Sequence, residues 1–256
     1  MMRLAGRRVL VVGAGTRPSP EPDAPMGNGR AIAKLAAGEG AAVACADIDR
    51  EAATETARLV ELEGGKAHVI VGDVTDPEAC RAFVDETVAA FGGLDGLVLN
   101  VGIAAGRRLE ETTAEQWDRT FAVNLRAHFL VCQAALPVMD QGASIVFISS
   151  VAGISAGSQI PAYDSSKAGI FGLCRHVAME GARKGVRANV VAPGLIDTPL
   201  GRLATAGRPS RTKTPVPLGR QGTAEEVAGP VVFLLSDEAS YVTAQILAVD
   251  GGLSTR

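Results

Sequence analysis

The sequence predicts an α/β protein, a doubly wound parallel sheet of seven strands flanked by helices on both faces. Three observations carry that reading. Short runs rich in Val, Ile and Ala alternate with longer segments of helical period, Gly, Asp or Pro separates each pair, and 47% of the 256 residues are apolar. Alternating strands and helices imply crossovers, and crossover helices cover both faces of a parallel sheet. One domain, residues 1–256, is expected, because such folds run to about 250 residues as a unit.

RRVLVV near 8–13 reads as the first strand, with a helix near 28–39 after it. The second strand, AAVACA, falls near 41–46 and its helix near 49–63; the third pair occupies 67–72 and 76–91. A fourth strand near 95–100 precedes the longest helical segment, 114–138. The fifth strand, ASIVFIS at 143–149, leads to a helix near 161–183; a sixth strand at 186–192, a helix near 224–235 and a seventh strand at 245–249 complete the series. Two segments resist the alternation: 16–26, TRPSPEPDAPM, with four prolines, and 199–222, rich in Arg, Gly and Pro. Parallel sheets bind ligands beyond the carboxyl ends of their strands, so the chemistry is expected within 13–30, 47, 73, 100–108, 149–163 and 193–215.

Composition excludes several classes. With 25 Lys+Arg against 28 Asp+Glu there is no basic field for a phosphate backbone, so no nucleic-acid partner is expected. Apolar runs such as 9–12 and 231–235 fall far short of the roughly 20 residues that cross a bilayer, so no membrane partner is expected either. The basic N-terminus passes at once into a glycine motif without a cleavage site, which reads as cytoplasmic. Cys45, Cys80, Cys132 and Cys174 are widely spaced and only three histidines accompany them, so neither a disulfide framework nor a metal site is signalled.

After the first strand come Gly13-Ala14-Gly15-Thr16, then Gly27-Asn28-Gly29-Arg30 at the start of a helix. Glycines suit a tight turn that lets backbone approach a pyrophosphate at a helix N-terminus, the device of a Rossmann-type dinucleotide fold. Asp47 ends the second strand 18 residues beyond Gly29, where a carboxylate accepts both adenosine ribose hydroxyls and repels a 2′-phosphate. NAD is therefore favoured over NADP. Asp47 or Asp49 could instead cap the next helix, and Arg17 and Arg30 are candidates to accommodate a 2′-phosphate.

Tyr163 and Lys167, four apart in a helical segment, share a face, and Ser150 ends the fifth strand thirteen residues before the tyrosine. With the glycine turn, Asp73-Val74, Asn100-Val-Gly102, Asn124, Pro193-Gly194, Thr198 and the closing Val249-Asp-Gly-Gly, the chain resembles the short-chain dehydrogenase/reductase family over essentially its full length. The resemblance implies interconversion of a secondary alcohol and a ketone, with Tyr163 as general acid/base, Lys167 lowering the phenol pKa and holding the nicotinamide ribose, Ser150 holding the substrate oxygen and Asn124 positioning a relayed water. Moving a phenol from about 10 to about 7 takes roughly 4 kcal/mol of phenolate stabilisation. It further implies Asp73 and Val74 at adenine, Asn100 and Gly102 along the adenosine side, and Ile196 and Thr198 at the carboxamide, with Pro193 and Gly194 in the same cofactor set. Homotetramers are implied too, through helices such as the one containing FLVCQAALPVM at 129–139.

The sequence departs from the family most at 17–26, ten residues inserted between Thr16 and Gly27. Prolines at 18, 20, 22 and 25 make this loop stiff and extended; two readings stand for it, an arch over the pyrophosphate or adenine that adjusts cofactor affinity, or a solvated excursion with no function. Val12 and Val101 stand where the family often has Thr and Ala. The 199–222 segment reads as a substrate lid. Its Arg202, Arg208, Arg211, Lys213 and Arg220, with Arg107 and Arg108 at the same sheet edge, could bind an anionic substrate or could be solvated surface. Competing readings are a 3-oxoacyl-thioester reductase using NADPH and a non-catalytic dinucleotide-sensing protein.

Overall fold

Burial with a period of two assigns each strand's side chains to one face of the sheet or the other. In β1 (Arg8–Val12), Val9 and Val11 join one apolar cluster while Leu10 and Val12 join the opposite one. The computed structural model describes residues 2–19, 21, 23–205 and 216–255. Its strands continue with β2 (Ala42–Asp47), β3 (Ala67–Val71), β4 (Gly96–Leu99), β5 (Ser144–Ile148), β6 (Arg187–Pro193) and β7 (Ile246–Val249). All pairings are parallel, in the order β3-β2-β1-β4-β5-β6-β7. The order reverses between β1 and β4, and that switch point opens a crevice at the carboxyl edge.

One face is covered by α1 (Asn28–Gly38), α2 (Arg50–Leu62) and α9 (Ala224–Leu235), and the other by α3 (Pro77–Phe91), α6 (Ala127–Val138) and α7 (Pro161–Gly181). Between them lie the short α4 (Arg108–Glu111), α5 (Ala114–Phe121) and α8 (Pro199–Thr205); α4 and α8 fall in segments the sequence leaves as loops. Local chemistry accounts for several ends. Asp49 accepts from Glu51 and Ala52 N–H to start α2, Asp76 with Pro77 starts α3, and Gly92 at φ 81° closes it. Thr113 with Gln116 and Thr223 with Glu226 form capping boxes on α5 and α9.

The helix expected over 114–138 is continuous but irregular: a π-turn, Ala122–Arg126, joins α5 to α6. This rod is long and apolar enough to pass for a membrane span, a property hidden when only uninterrupted apolar runs are counted. Here one side of it packs into the core, with Val131 and Ala135 fully buried, while Phe129 and Val138 are exposed on another.

Candidate active site

The carboxyl ends of β1, β2, β4 and β5 surround a cavity of about 410 Å³. Gly13 follows β1 at φ 82°, and a side chain there would meet the backbone of Val101 at 2.9 Å. A Cβ on Gly29 would lie 1.9 Å from the carbonyl oxygen of Gly13, so the turn closes only around glycine. Asn100 ties β4 to this turn, its Nδ2 donating to Gly13 O at 2.8 Å. Thr16 Oγ1 accepts from Gly27 N–H at 2.9 Å and so closes the base of the insertion.

Asp47 and Asp49 divide two tasks. Asp49 caps α2, whereas Asp47 accepts from Gly15 N–H at 2.8 Å and Asp49 N–H at 3.1 Å and faces the cavity. Arg30 is turned away: its Nε donates to Thr56 Oγ1 and its second guanidinium nitrogen to Ala52 O. Asp73 accepts from the Thr75 amide and hydroxyl at 2.8 and 2.9 Å, and the amide above all holds its pKa below the usual range.

The cavity fits a dinucleotide on three counts. Unlike α2, α3 and α7, α1 has neither a side-chain cap nor an acid in its first turn, leaving donors and the positive dipole end for an anion. Gly15 leaves no room for a Cβ beside Asp47 and Ala52. Asn28 lines the cavity with a buried Oδ1 that has no partner among the described residues.

At the other end, Lys167 and Tyr163 come together on α7. Lys167 Nζ lies 5.7 Å from the tyrosine ring centroid and donates to Ile148 O at 2.9 Å. Its burial pushes the ammonium down to about 8. Ser150 Oγ accepts from Ala152 N–H at 3.2 Å, which leaves its own proton to donate. Asn124 lies in the π-turn, fully buried, with both amide protons engaged by Ile103 O and Ser166 Oγ while Oδ1 accepts from Ile103 N–H. It braces the loop after β4, where a side chain on Gly102 would sit 3.2 Å from Lys167 Nζ. One turn on, burial and then the neighbouring Lys167 push His128 down to about 3, which keeps the imidazole neutral.

Gly13, Gly15, Thr16, Gly27, Asn28, Asp47, Asp73, Val74, Asn100, Gly102, Tyr163, Lys167 and Thr198 line one cavity. Gly29, Asn124, Ser150, Pro193, Gly194 and Ile196 are not in its wall. Gly194 makes room for Asp250, and Ile196 bridges to Gly222. The sequence reading missed Ile48, exposed at 63% and next to Asp47, and Arg119, 3.8 Å from Asp73. An apolar residue following the strand-end acid was a local signal for Ile48. Arg119 had none, because its partner is remote in sequence.

Two of the lid cations are already paired. Arg202 grips Asp197 bidentately at 2.7 and 2.9 Å and also meets Glu21, and Arg220 grips Glu226 at 2.6 and 2.8 Å. Arg208, Arg211 and Lys213 lie outside the described residues.

This fold and site define a dinucleotide-dependent oxidoreductase. A family model described as Enoyl-(Acyl carrier protein) reductase matches residues 24–254. The chain is 38% identical to 3-oxoacyl-[acyl-carrier-protein] reductase FabG of Thermotoga maritima over 98% of its own length and 99% of that protein's. It is also 38% identical to an L-rhamnose 1-dehydrogenase (NAD(P)(+)) of Sphingomonas sp., covering 99% of this chain and 98% of the other. A solved short-chain type dehydrogenase/reductase of Mycobacterium marinum superposes with a TM-score of 0.87 at 30% identity, covering 100% and 98% of the two chains. The chain belongs to the short-chain dehydrogenase/reductase family, enzymes that act on CH–OH groups with a nicotinamide dinucleotide.

Proposed function

We propose that the protein is an NAD-dependent oxidoreductase that interconverts a secondary alcohol and a ketone, with Tyr163 as the general acid/base. The observation that carries this is the fully buried Lys167 ammonium beside the Tyr163 ring, in the cavity that also receives the uncapped start of α1. Bound nicotinamide supplies the hydride acceptor or donor. Tyr163 passes a proton to or from the substrate oxygen, and a nearby ammonium favours its phenolate. Ser150 donates to the same oxygen, and Asn124 acts as a positioning residue by holding the loop against Lys167. NAD is preferred over NADP because Asp47 presents a carboxylate where a 2′-phosphate would sit, while Arg30 is spent on α2.

A second reading, a 3-oxoacyl-thioester reductase using NADPH, is favoured by the name of the FabG relative and by Arg17 in the cavity wall. The pairing of Arg202 and Arg220 with carboxylates weakens the anion clamp this reading would use. We also place the chain in a cytoplasmic homotetramer. Its buried free thiols suit a reducing compartment, and the groove of Phe121, Leu125, Phe129 and Leu173 offers an apolar face for a second copy.

The test is oxidation of NADH, with NADPH in parallel, against neutral ketones and acetoacetyl-CoA. Tyr163→Phe is expected to lower turnover about 10²–10⁴-fold with NADH binding retained. Wild-type turnover in that variant would end this assignment, and faster thioester turnover with NADPH would replace it by the second reading.

A further inference from the structure

The insertion and the start of the lid meet over the same cavity. Arg17 and Pro18 enter its wall from one side and Thr198, Pro199 and Leu200 from the other. Three residues beyond Pro18, Glu21 meets the guanidinium of Arg202 on α8, 181 positions away in sequence. Arg202 does not have to be ordered for this contact, because Asp197 already holds its planar fork bidentately at 2.7 and 2.9 Å. The insertion is also held at its base. Thr16 closes its base on Gly27, Met26 packs against the apolar cluster beneath α1, and its prolines restrict φ.

We propose that Glu21 and Arg202 form a clasp across the cofactor cavity, positioning residues that set how long a bound dinucleotide stays. The inference rests on the dinucleotide reading above and adds a determinant of cofactor release. The clasp can open. Glu21 and Arg202 side chains are 55% and 38% exposed, so their attraction is modest and screened by salt. Opening it removes this tie between the insertion and α8 while Asp197 still holds Arg202, so the cofactor side loosens and the lid residue stays anchored.

Glu21→Gln removes the charge and leaves the shape, and Glu21→Asp keeps the charge. NADH release, followed by the loss of its enhanced fluorescence on mixing with excess NAD, is measured at about 0.02 M and about 0.5 M salt. Glu21→Gln is expected to release NADH about fivefold faster at low salt, the ceiling for an exposed ion pair, with little further change at high salt. Wild type should accelerate with salt, and Glu21→Asp should recover part of the slow release. Single-turnover hydride transfer should stay within about twofold of wild type, since no reacting group has moved. In the protein without cofactor, amide exchange in peptides covering 14–27 and 196–203 should speed up together in Glu21→Gln. Release and exchange identical to wild type in Glu21→Gln would overturn the clasp alone. A wild-type protein that binds neither NADH nor NADPH would overturn the dinucleotide reading and the clasp with it.

Discussion

Lys167 carries the largest conflict between stability and chemistry at the scale of the residue. Holding its ammonium in full burial, with a pKa lowered from 10.5 to about 8, costs the fold about 3 kcal/mol at neutral pH. Lys167→Met keeps the length and removes the charge, so it should stabilise the protein by about 2 kcal/mol at pH 7 while abolishing turnover. The sign of the pH effect follows from the lowered value. Below about 8 folded and unfolded chains are both protonated and the cost is constant. Between about 8 and 10.5 the folded chain releases its proton while the unfolded chain keeps it, so the cost fades. Urea unfolding at pH 7 and pH 10 should therefore show the variant's advantage shrinking as pH rises. The Tyr163/Lys167 pairing was legible because a spacing of four on a helix is a local fact. The burial that lowers the lysine was not, since β5, α7 and the loop after β4 must all be in place to create it.

Elements show the same division in their glycines. Gly29 and Gly172 both sit in helices, but a Cβ on Gly29 would be 1.9 Å from Gly13 O, whereas one on Gly172 meets nothing within 4 Å. Gly29→Ala should cost about 3 kcal/mol and impair NADH binding, because the collision is with backbone that cannot step aside. Gly172→Ala on the exposed face of α7 should add about 0.5–1 kcal/mol through helix propensity. Thermal unfolding and NADH titration of the two variants check both signs. Strand positions and glycine turns were readable to within a residue or two, for they depend on period and on turn geometry a few residues long. The π-turn at Ala122–Arg126 left no such mark, and it is the element that buries Asn124 against the loop after β4.

Across the whole molecule, a ligand that bridges the sheet's switch point should stabilise every element that lines it. At about 100 times its dissociation constant NADH should add about 2.7 kcal/mol, a rise in Tm of about 5–10 °C for a chain of this size. On the proposed NAD preference, NADPH at the same concentration should give less than half that rise, because its 2′-phosphate would have to approach the Asp47 carboxylate. An equal or larger shift with NADPH would reverse the proposed preference. The sequence by itself determined the alternation of strands and helices, the glycine turn and the tyrosine–lysine face, all of which rest on short-range geometry. Only the tertiary structure decided where the charges go. Arg30 turns to α2, and the two lid cations among the described residues are both paired, Arg202 with Asp197 and Glu21 and Arg220 with Glu226. The reason is physical: a charged side chain takes the partner that packing brings within a few ångströms, and for Arg202 and Glu21 that partner lies 181 residues away.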